Sequence, residues 1–314
     1  MNSTISSGDK PFHLMEQDTI HKSGSFKIAD KLKDYMLLVK FNLSFMVVFS
    51  AVISYLLAPL VKVYDWKAIM LLFVGGMLVT GSANAINQAL EFHTDAMMKR
   101  TAGRPVAAGR MSVAEAMSFA VICGLTGTML LWHFNFLTAL LSVISLFFYA
   151  FIYTPLKKVS SVAVLAGAVP GAMPCLIGWA AGNDSLTAGG WILFALQFFW
   201  QFPHFWAIAW IAHKDYSAAG FKLLPSGDGQ TKYSALQAVI YSLLLLPVGI
   251  LPYFSGMSGN ISLIIVLVAN IFMVATCVRL YREMTIKAAR RVMFGSYIYL
   301  PVVLLALLID KVPY

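Results

Sequence analysis

Long apolar segments alternate with short polar ones along most of this chain. A membrane-spanning helix needs about 20 predominantly apolar residues. Runs of that length lie at about 36–58, 68–90, 112–132, 134–154, 161–181, 190–212, 234–254, 260–280 and 291–309. The pattern therefore predicts an all-α polytopic membrane protein with nine transmembrane helices.

The polar segments differ in length and position. Residues 1–34 are polar and mixed in charge, without the apolar core of a signal peptide, so we expect a cytosolic polar tail. Residues 35–312 then form a single transmembrane domain. Its connections at about 91–111 and 213–233 are long and polar, and loops of that length usually carry function. They lie four helices apart, which suggests two four-helix halves plus one further helix.

Composition supports the membrane assignment. Hydrophobic residues make up 59% of the 314 residues and charged residues 12%, against about 25% charged in soluble domains. These values exclude a soluble enzyme, a disordered chain and a disulfide scaffold, and the three cysteines lie far apart.

The net charge of +9 is explained by topology and does not indicate nucleic-acid binding. Nineteen of the 23 lysines and arginines fall in the tail or in alternate connections, on one side of the predicted membrane. Cytosolic loops are enriched in these residues. We therefore expect a cytosolic N-terminus and a C-terminus on the opposite side.

A polar constellation follows the second predicted span. Four side chains recur there at intervals of four residues, namely Asn87, Glu91, Asp95 and Lys99. On a helix this spacing places them on one face. The two acids could hold Mg²⁺, which binds through one or two carboxylates and bridges to substrate phosphates. Arg100 and Arg104 could grip the phosphate oxygens. The alternative is a solvated helix end with loosely paired charges.

Further candidates lie in two other segments. Asp215 follows the sixth span beside Lys214. In a duplicated fold it would face the first acids and could hold the same metal or a second one; the alternative is a solvated loop residue. His204 lies in an aromatic stretch after a proline, where a polar group can mark a site or a structural hydrogen bond. Tyr153 and Lys157 end the fourth span, where the lysine could bind diphosphate or only set topology.

Together these residue types suit a prenyl diphosphate donor. Mg²⁺ and the cations would stabilise the departing diphosphate, and aromatic faces in a dry chamber would stabilise an allylic carbocation. The alternative from another class is a transporter of an anionic substrate, in which the same cations form the binding site.

Four motifs carry a resemblance over about residues 35–310. They are Asn87-x3-Glu91-x3-Asp95 followed by Arg100-Thr101 and Arg104-Pro105, Tyr153-x-Pro155-Leu-Lys157, Trp200-Gln-x-Pro203-His204-Phe-Trp206, and Lys214-Asp215-Tyr216-x3-Gly220-x2-Leu-Leu-Pro225. With these motifs the chain resembles the UbiA-type intramembrane prenyltransferases. The last two motifs are similar to those of the haem O synthases within that family.

The resemblance implies farnesyl transfer from farnesyl diphosphate to a vinyl group of haem B, followed by water addition. A UbiA-type enzyme that prenylates an aromatic quinone precursor is the alternative. Mg²⁺–diphosphate is implied at Asn87, Glu91, Asp95 and Asp215, and diphosphate contact at Arg100, Arg104 and Lys157. The implied setting is a bacterial inner membrane, with a haem A synthase or terminal oxidase assembly as a partner.

The chain also departs from the family pattern. Glu91 and His93 stand where many members carry aspartate or another acid. The family often shows Lys-Pro-Arg in its first helix, whereas this chain has Lys40-Phe41-Asn42, which leaves Lys40 as the candidate for substrate contact. His204 is the candidate haem contact.

Overall fold

The helices of this protein were traced in a computed structural model that describes residues 28–313; residues 1–27 of the predicted tail and residue 314 lie outside the described part. The described chain is almost entirely helical. In chain order the helices are α1 (Ile28–Leu38), α2 (Phe41–Leu57), α3 (Trp66–Leu90), α4 (Phe92–Met97), α5 (Val113–Trp132), α6 (Phe136–Phe147), α7 (Thr154–Leu156), α8 (Val162–Asn183), α9 (Ala188–Ile211), α10 (His213–Ala218), α11 (Lys232–Phe254), α12 (Asn260–Glu283) and α13 (Ile286–Ile309).

The predicted all-α membrane fold is confirmed. Within residues 28–313, eight helices are long and apolar enough to cross a membrane, or up to nine if the bent pair α1 and α2 counts as one span. In the eight, α6 and α7 form one continuous span with the π-helical turn between them. The chain is an integral membrane protein, with α2, α3, α5, α6, α8, α9 and α11–α13 as its long helices.

The first helix begins earlier than the sequence predicts. Residues 28–34 were expected to belong to the tail, but α1 starts at Ile28. Its charged face is held by α5 and the loop before it. The Lys31 amine lies 2.5 Å from the Glu115 carboxylate, and the Arg110 guanidinium lies 2.9 Å from the Asp34 carboxylate. These contacts stabilise a turn that apolar patterning alone does not predict.

The first span is bent by 51° between α1 and α2. Lys40, which the sequence places inside one continuous helix, adopts a left-handed conformation with φ 50° and ψ 57°. The bend leaves the carbonyl oxygens of Leu38 and Val39 without backbone partners in the described chain. Gln88 donates to Leu38 O at 2.8 Å, and Asn84 donates to Val39 O at 3.1 Å. Polar side chains of α3 therefore hold the bend, and with it the position of Lys40.

Close helix packing fixes the centre of the bundle. The helix pair α2–α8 approaches so closely that a Cβ added at Gly178 would lie 1.9 Å from Ala51 O. Small residues allow such contacts between membrane helices. Helix α9 packs against α8, α11 and α13, while α13 also contacts α2.

A π-helical turn, Phe148–Tyr153, separates α6 from α7. Pro155 has no amide hydrogen, so the regular i to i−4 ladder is interrupted here. A π turn holds extra chain per turn and often occurs at functional sites. Tyr149 and Tyr153 lie side by side with ring centroids 5.4 Å apart.

Candidate active site

The predicted acids lie at the end of α3 and in α4. Glu91 is 6% exposed and Asp95 is 1% exposed. The backbone keeps helical hydrogen bonds across the junction between α3 and α4. Glu91 N donates to Asn87 O at 3.0 Å, and Asp95 N donates to Glu91 O at 2.7 Å. Lys99 does not extend this face. It follows the end of α4 and is exposed, so the expectation that it stacks below the acids is wrong.

Glu91 is paired with Lys157, which lies 66 residues away. The Lys157 amine lies 2.6 Å from one carboxylate oxygen and 2.8 Å from the other. Asn87 donates to Glu91 at 2.8 Å and to Thr154 Oγ1 at 3.2 Å, and its own oxygen accepts from Lys40 at 3.5 Å. Burial lowers the pKa of Lys157, and the adjacent Glu91 carboxylate opposes that shift. Side-chain hydrogen bonds from Asn87 and Glu91 thus connect α3 to α7, to Lys157 after it and to Lys40 at the bend of the first span.

Asp95 is paired with Arg104 through one oxygen only. The distance from Arg104 Nη1 to Asp95 Oδ2 is 2.6 Å. Asp95 Oδ1 is sealed from the surface and has no hydrogen-bond partner among residues 28–313. A buried carboxylate oxygen without a partner is unfavourable unless something binds it. The donor set of Asn87, Glu91 and Asp95 contains the oxygen ligands that Mg²⁺ prefers, so these residues fit that ion.

The second long connection contacts this site at two points. Arg100 donates to the Tyr216 hydroxyl, and its guanidinium carbon lies 5.0 Å from the Tyr216 ring centroid. The Lys157 amine lies 5.4 Å from the Phe221 ring centroid, and Lys222 N donates to Lys157 O at 2.9 Å. The loops after α3 and α9 are therefore neighbours, as their spacing in the sequence suggests.

Asp215 and Lys214 are not drawn into the same cluster. Asp215 precedes the tethered Tyr216 and is half-exposed, while Lys214 is exposed. Within the described part of the chain, no three His, Cys, Asp or Glu side chains lie close enough together to hold a metal ion. A metal role for Asp215 therefore stays a prediction.

His204 lies apart from the acids, on the face of α9 that meets α13. Its ring is stacked on Trp200 with centroids 4.8 Å apart, and Nδ1 lies 2.7 Å from Ser296 Oγ. Tyr153, by contrast, lies beside the acids, because the Lys157 amine is 4.8 Å from its ring centroid.

An apolar cavity of about 100 Å³ lies within the helix bundle. Asn84 and Tyr149 lie at its edge, and it continues between α2, α3, α6 and α8 along Val48, Gly76 and Pro174. A second cavity of about 380 Å³ lies at the opposite ends of α2 and α8, where Tyr55 and Gly182 line it. Glu91, Asp95 and Lys157 line neither cavity; the first reaches Asn84, one helical turn before Asn87.

Several residues of the site were missed by sequence reasoning. Thr154 accepts from Asn87, Gln88 holds the bend before Lys40, and Tyr149 lines the apolar cavity. The sequence does mark Gln88, because a glutamine inside a membrane span is energetically unfavourable and is usually functional. Thr154 and Tyr149 carry no such signal, since their roles depend on the π-helical turn.

The chain was compared with known proteins. The model of the UbiA prenyltransferase family matches residues 47–300. A protoheme IX farnesyltransferase of Cytophaga hutchinsonii is 46% identical over 286 residues, which is 91% of this chain and 100% of that protein.

Two solved structures show the same fold. The first, of digeranylgeranylglyceryl phosphate synthase, has a TM-score of 0.74 and 22% identity, over 90% of this chain and 98% of that one. The second is a UbiA homologue from Archaeoglobus fulgidus bound to GPP and Mg²⁺. It has a TM-score of 0.66 and 13% identity, over 87% of this chain and 99% of that one. With a family match over most of its length, the chain belongs to the UbiA prenyltransferase family and is a prenyltransferase.

Proposed function

We propose that this enzyme transfers the farnesyl group of farnesyl diphosphate to a vinyl group of haem B and adds water, which gives haem O. The observation that carries the proposal is the 46% identity, over the full length of the relative, to a protoheme IX farnesyltransferase. The buried acids, cations and apolar cavity support it, because the reaction needs a diphosphate site beside a dry chamber.

Asn87, Glu91, Asp95 and Asp215 are the residues that would hold Mg²⁺. The free Oδ1 of Asp95 supports this assignment, as does the Archaeoglobus fulgidus homologue, which is described as bound to GPP and Mg²⁺. When bound, Mg²⁺ neutralises charge that develops on the departing diphosphate.

The cations of the site would bind the diphosphate directly. Arg104 and Lys157 are now paired with the acids, so substrate binding would exchange partners, with the two cations turning to phosphate oxygens. Arg100 and Lys40 lie at two sides of the same cluster and would add further donors. Lys214 is exposed on α10 and would reach the substrate only from the surface.

The chemistry begins with cleavage of the bond between farnesyl C1 and the diphosphate oxygen, whose electron pair leaves with diphosphate. The terminal carbon of the haem vinyl group then bonds to farnesyl C1, and the positive charge moves to the vinyl carbon next to the porphyrin. Water adds there and releases a proton. The faces of Tyr149 and Tyr153 would stabilise the allylic cation, and the apolar cavity would keep water away until the carbon–carbon bond has formed.

The proposed setting is a bacterial inner membrane, with the N-terminus cytosolic and the C-terminus on the opposite side. The distribution of lysines and arginines supports this orientation. Haem O would then pass to a haem A synthase or to terminal oxidase assembly in the same bilayer.

The test is a product assay on membranes that contain the protein. With haem B, farnesyl diphosphate and Mg²⁺, we expect haem O; chelation of divalent ions should stop its formation, and added Mg²⁺ should restore it. Asp95→Ala should abolish turnover in a folded protein. Prenylation of an aromatic quinone precursor while haem stays unchanged would refute the proposal, and so would uptake of an anion with no prenylated product.

A further inference from the structure

The turn between α12 and α13 carries a dense group of cations. Five of the thirteen residues from 279 to 291 are lysine or arginine, and the only acid among them is Glu283. Glu283 is already engaged, because Arg279 donates to it and the Arg291 guanidinium lies 3.6 Å away. The side chains of the other three cations are exposed and form no ion pair or hydrogen bond within residues 28–313: Arg282, Lys287 and Arg290.

On α13 the cations share one face with lipid-facing side chains. Lys287, Arg290, Phe294 and Tyr297 recur at intervals of three and four residues, and all four are exposed. On a helix this spacing places them on one face. The exposed face of α13 is therefore cationic at the start of the helix and aromatic one turn later.

Helix α12 shows the same change as it approaches the turn. Its exposed side chains at 268, 271, 275, 279 and 282 follow one another at intervals of three or four residues, and they change from Val268 and Ile271 to Arg279 and Arg282. Only 28% of the apolar stretch of α12 is buried within the bundle, so this face meets the lipid. Both helices thus present apolar surface to the bilayer that ends in cations at one turn.

A sixth cation reaches this turn from α11. The Lys232 amine lies 6.0 Å from the ring centroid of Tyr281, and its side chain is exposed. Topology requires only that lysines and arginines lie near the ends of the spans. It does not require that they continue the lipid-facing stripes of two neighbouring helices, so topology alone does not account for this arrangement.

We propose that the turn between α12 and α13 binds the headgroup of an anionic phospholipid, whose acyl chains lie along the two apolar stripes. Guanidinium and ammonium groups donate charge-assisted hydrogen bonds to phosphate oxygens. Clusters of about four to eight lysines and arginines beside a membrane helix attract anionic lipid headgroups. A free phosphate would use the cations but not the stripes that lead to them. The site uses none of the residues assigned to the proposed reaction.

The test measures lipid binding to the purified full-length protein by native mass spectrometry, which resolves lipids bound one at a time. Dioleoyl phosphatidylglycerol and dioleoyl phosphatidylcholine share their acyl chains, but only the first carries a net negative charge. We expect the wild type to bind phosphatidylglycerol at least tenfold more tightly than phosphatidylcholine. The variant Arg282→Gln/Lys287→Gln/Arg290→Gln should lose this preference, while its phosphatidylcholine affinity stays unchanged.

A matched control removes the same charge elsewhere. Lys62→Gln/Lys67→Gln/Lys158→Gln replaces three exposed lysines outside the turn and should keep the preference for phosphatidylglycerol. Glu283→Gln provides a test of opposite sign, and it keeps the proposal falsifiable if the triple variant of the turn does not fold. It should tighten phosphatidylglycerol binding severalfold, because Arg279 and Arg291 are then released from the carboxylate.

Competition distinguishes a lipid from a soluble anion. sn-Glycerol 3-phosphate has the phosphate without acyl chains and should not displace bound phosphatidylglycerol; displacement would assign the turn to a free phosphate and overturn the proposal. An unchanged lipid preference in the triple variant of the turn would also overturn it, as would an equal loss in the lysine control or weaker binding in Glu283→Gln. None of these measurements depends on turnover, so the proposed function can fail while the lipid site stands.

Discussion

Lys157 and Glu91 form a buried ion pair in which one amine lies within 2.8 Å of both carboxylate oxygens. Asp95 and Arg104 form a second pair beside it. Glu91 and Asp95, two of the acids expected to hold the metal, are thus each neutralised by a cation expected to hold the diphosphate. If both groups act on substrate, Lys157 and Arg104 would exchange these carboxylates for phosphate oxygens when diphosphate binds.

The first prediction concerns stability. Lys157→Met leaves the Glu91 carboxylate buried without its cation, and breaking a buried pair from one side costs about 3–5 kcal/mol. We expect a large fall in the thermal unfolding midpoint, measured in detergent by intrinsic fluorescence. The double variant Glu91→Leu/Lys157→Met should recover much of the loss, because no charge is then left buried.

The matched control for this prediction is the exposed pair of Arg279 and Glu283 on α12. Arg279→Gln should leave the midpoint unchanged, since solvent screens surface pairs. Equal shifts of the unfolding midpoint in Lys157→Met and Arg279→Gln would show that the buried pair contributes no more to stability than the exposed pair.

The second prediction concerns coupled binding. Because each acid–cation pair must open before either ligand can bind, Mg²⁺ and diphosphate should assist one another. We expect the dissociation constant of inorganic diphosphate, measured calorimetrically, to fall at least tenfold when Mg²⁺ is present. Asp95→Asn removes a carboxylate that the proposed metal site would use and should abolish this coupling. Equal diphosphate affinity with and without Mg²⁺ in the wild type would contradict partner exchange.

The third prediction concerns the tether between the two loops. Tyr216→Phe removes the hydroxyl that accepts from Arg100 but keeps the ring beneath the guanidinium. Without that bond Arg100 is held less firmly beside the site, so we expect KM for farnesyl diphosphate to rise severalfold. Tyr216→Ala should raise it further. Tyr233→Phe, at an exposed tyrosine, is the control and should leave KM unchanged. A wild-type KM in Tyr216→Ala would show that the contact between Arg100 and Tyr216 has no part in substrate binding.

The fourth prediction concerns the contact between α2 and α8. A methyl group at Gly178 would meet the backbone of Ala51, which cannot rotate away as a side chain can. Overpacking of this kind costs about 1–3 kcal/mol, so Gly178→Ala should lower the unfolding midpoint and the yield of folded protein. Gly227→Ala is the comparison, because nothing lies within 4 Å of a Cβ there. A normal midpoint for Gly178→Ala would mean that the helices can separate.

Sequence reasoning found the spans because each needs a long apolar run, whatever the tertiary structure. It did not find the bend at Lys40, since no proline or glycine marks it and side chains of α3 hold it from outside. The acids of α3 and α4 were predicted from local spacing. Their pairing with Lys157 was not, because that contact joins residues 66 positions apart. The distance of Asp215 from the cluster likewise depends on how α10 packs.

The number of residues in the π-helical turn at Phe148–Tyr153 determines where Lys157 lies relative to Glu91. Loss of one residue there would favour an ordinary α-helix and rotate everything after it by about 100°. Lys157 would then leave Glu91 although every side chain of the site was still encoded. Apart from Tyr149 and Tyr153, substitutions within this segment should therefore be tolerated far better than insertions or deletions.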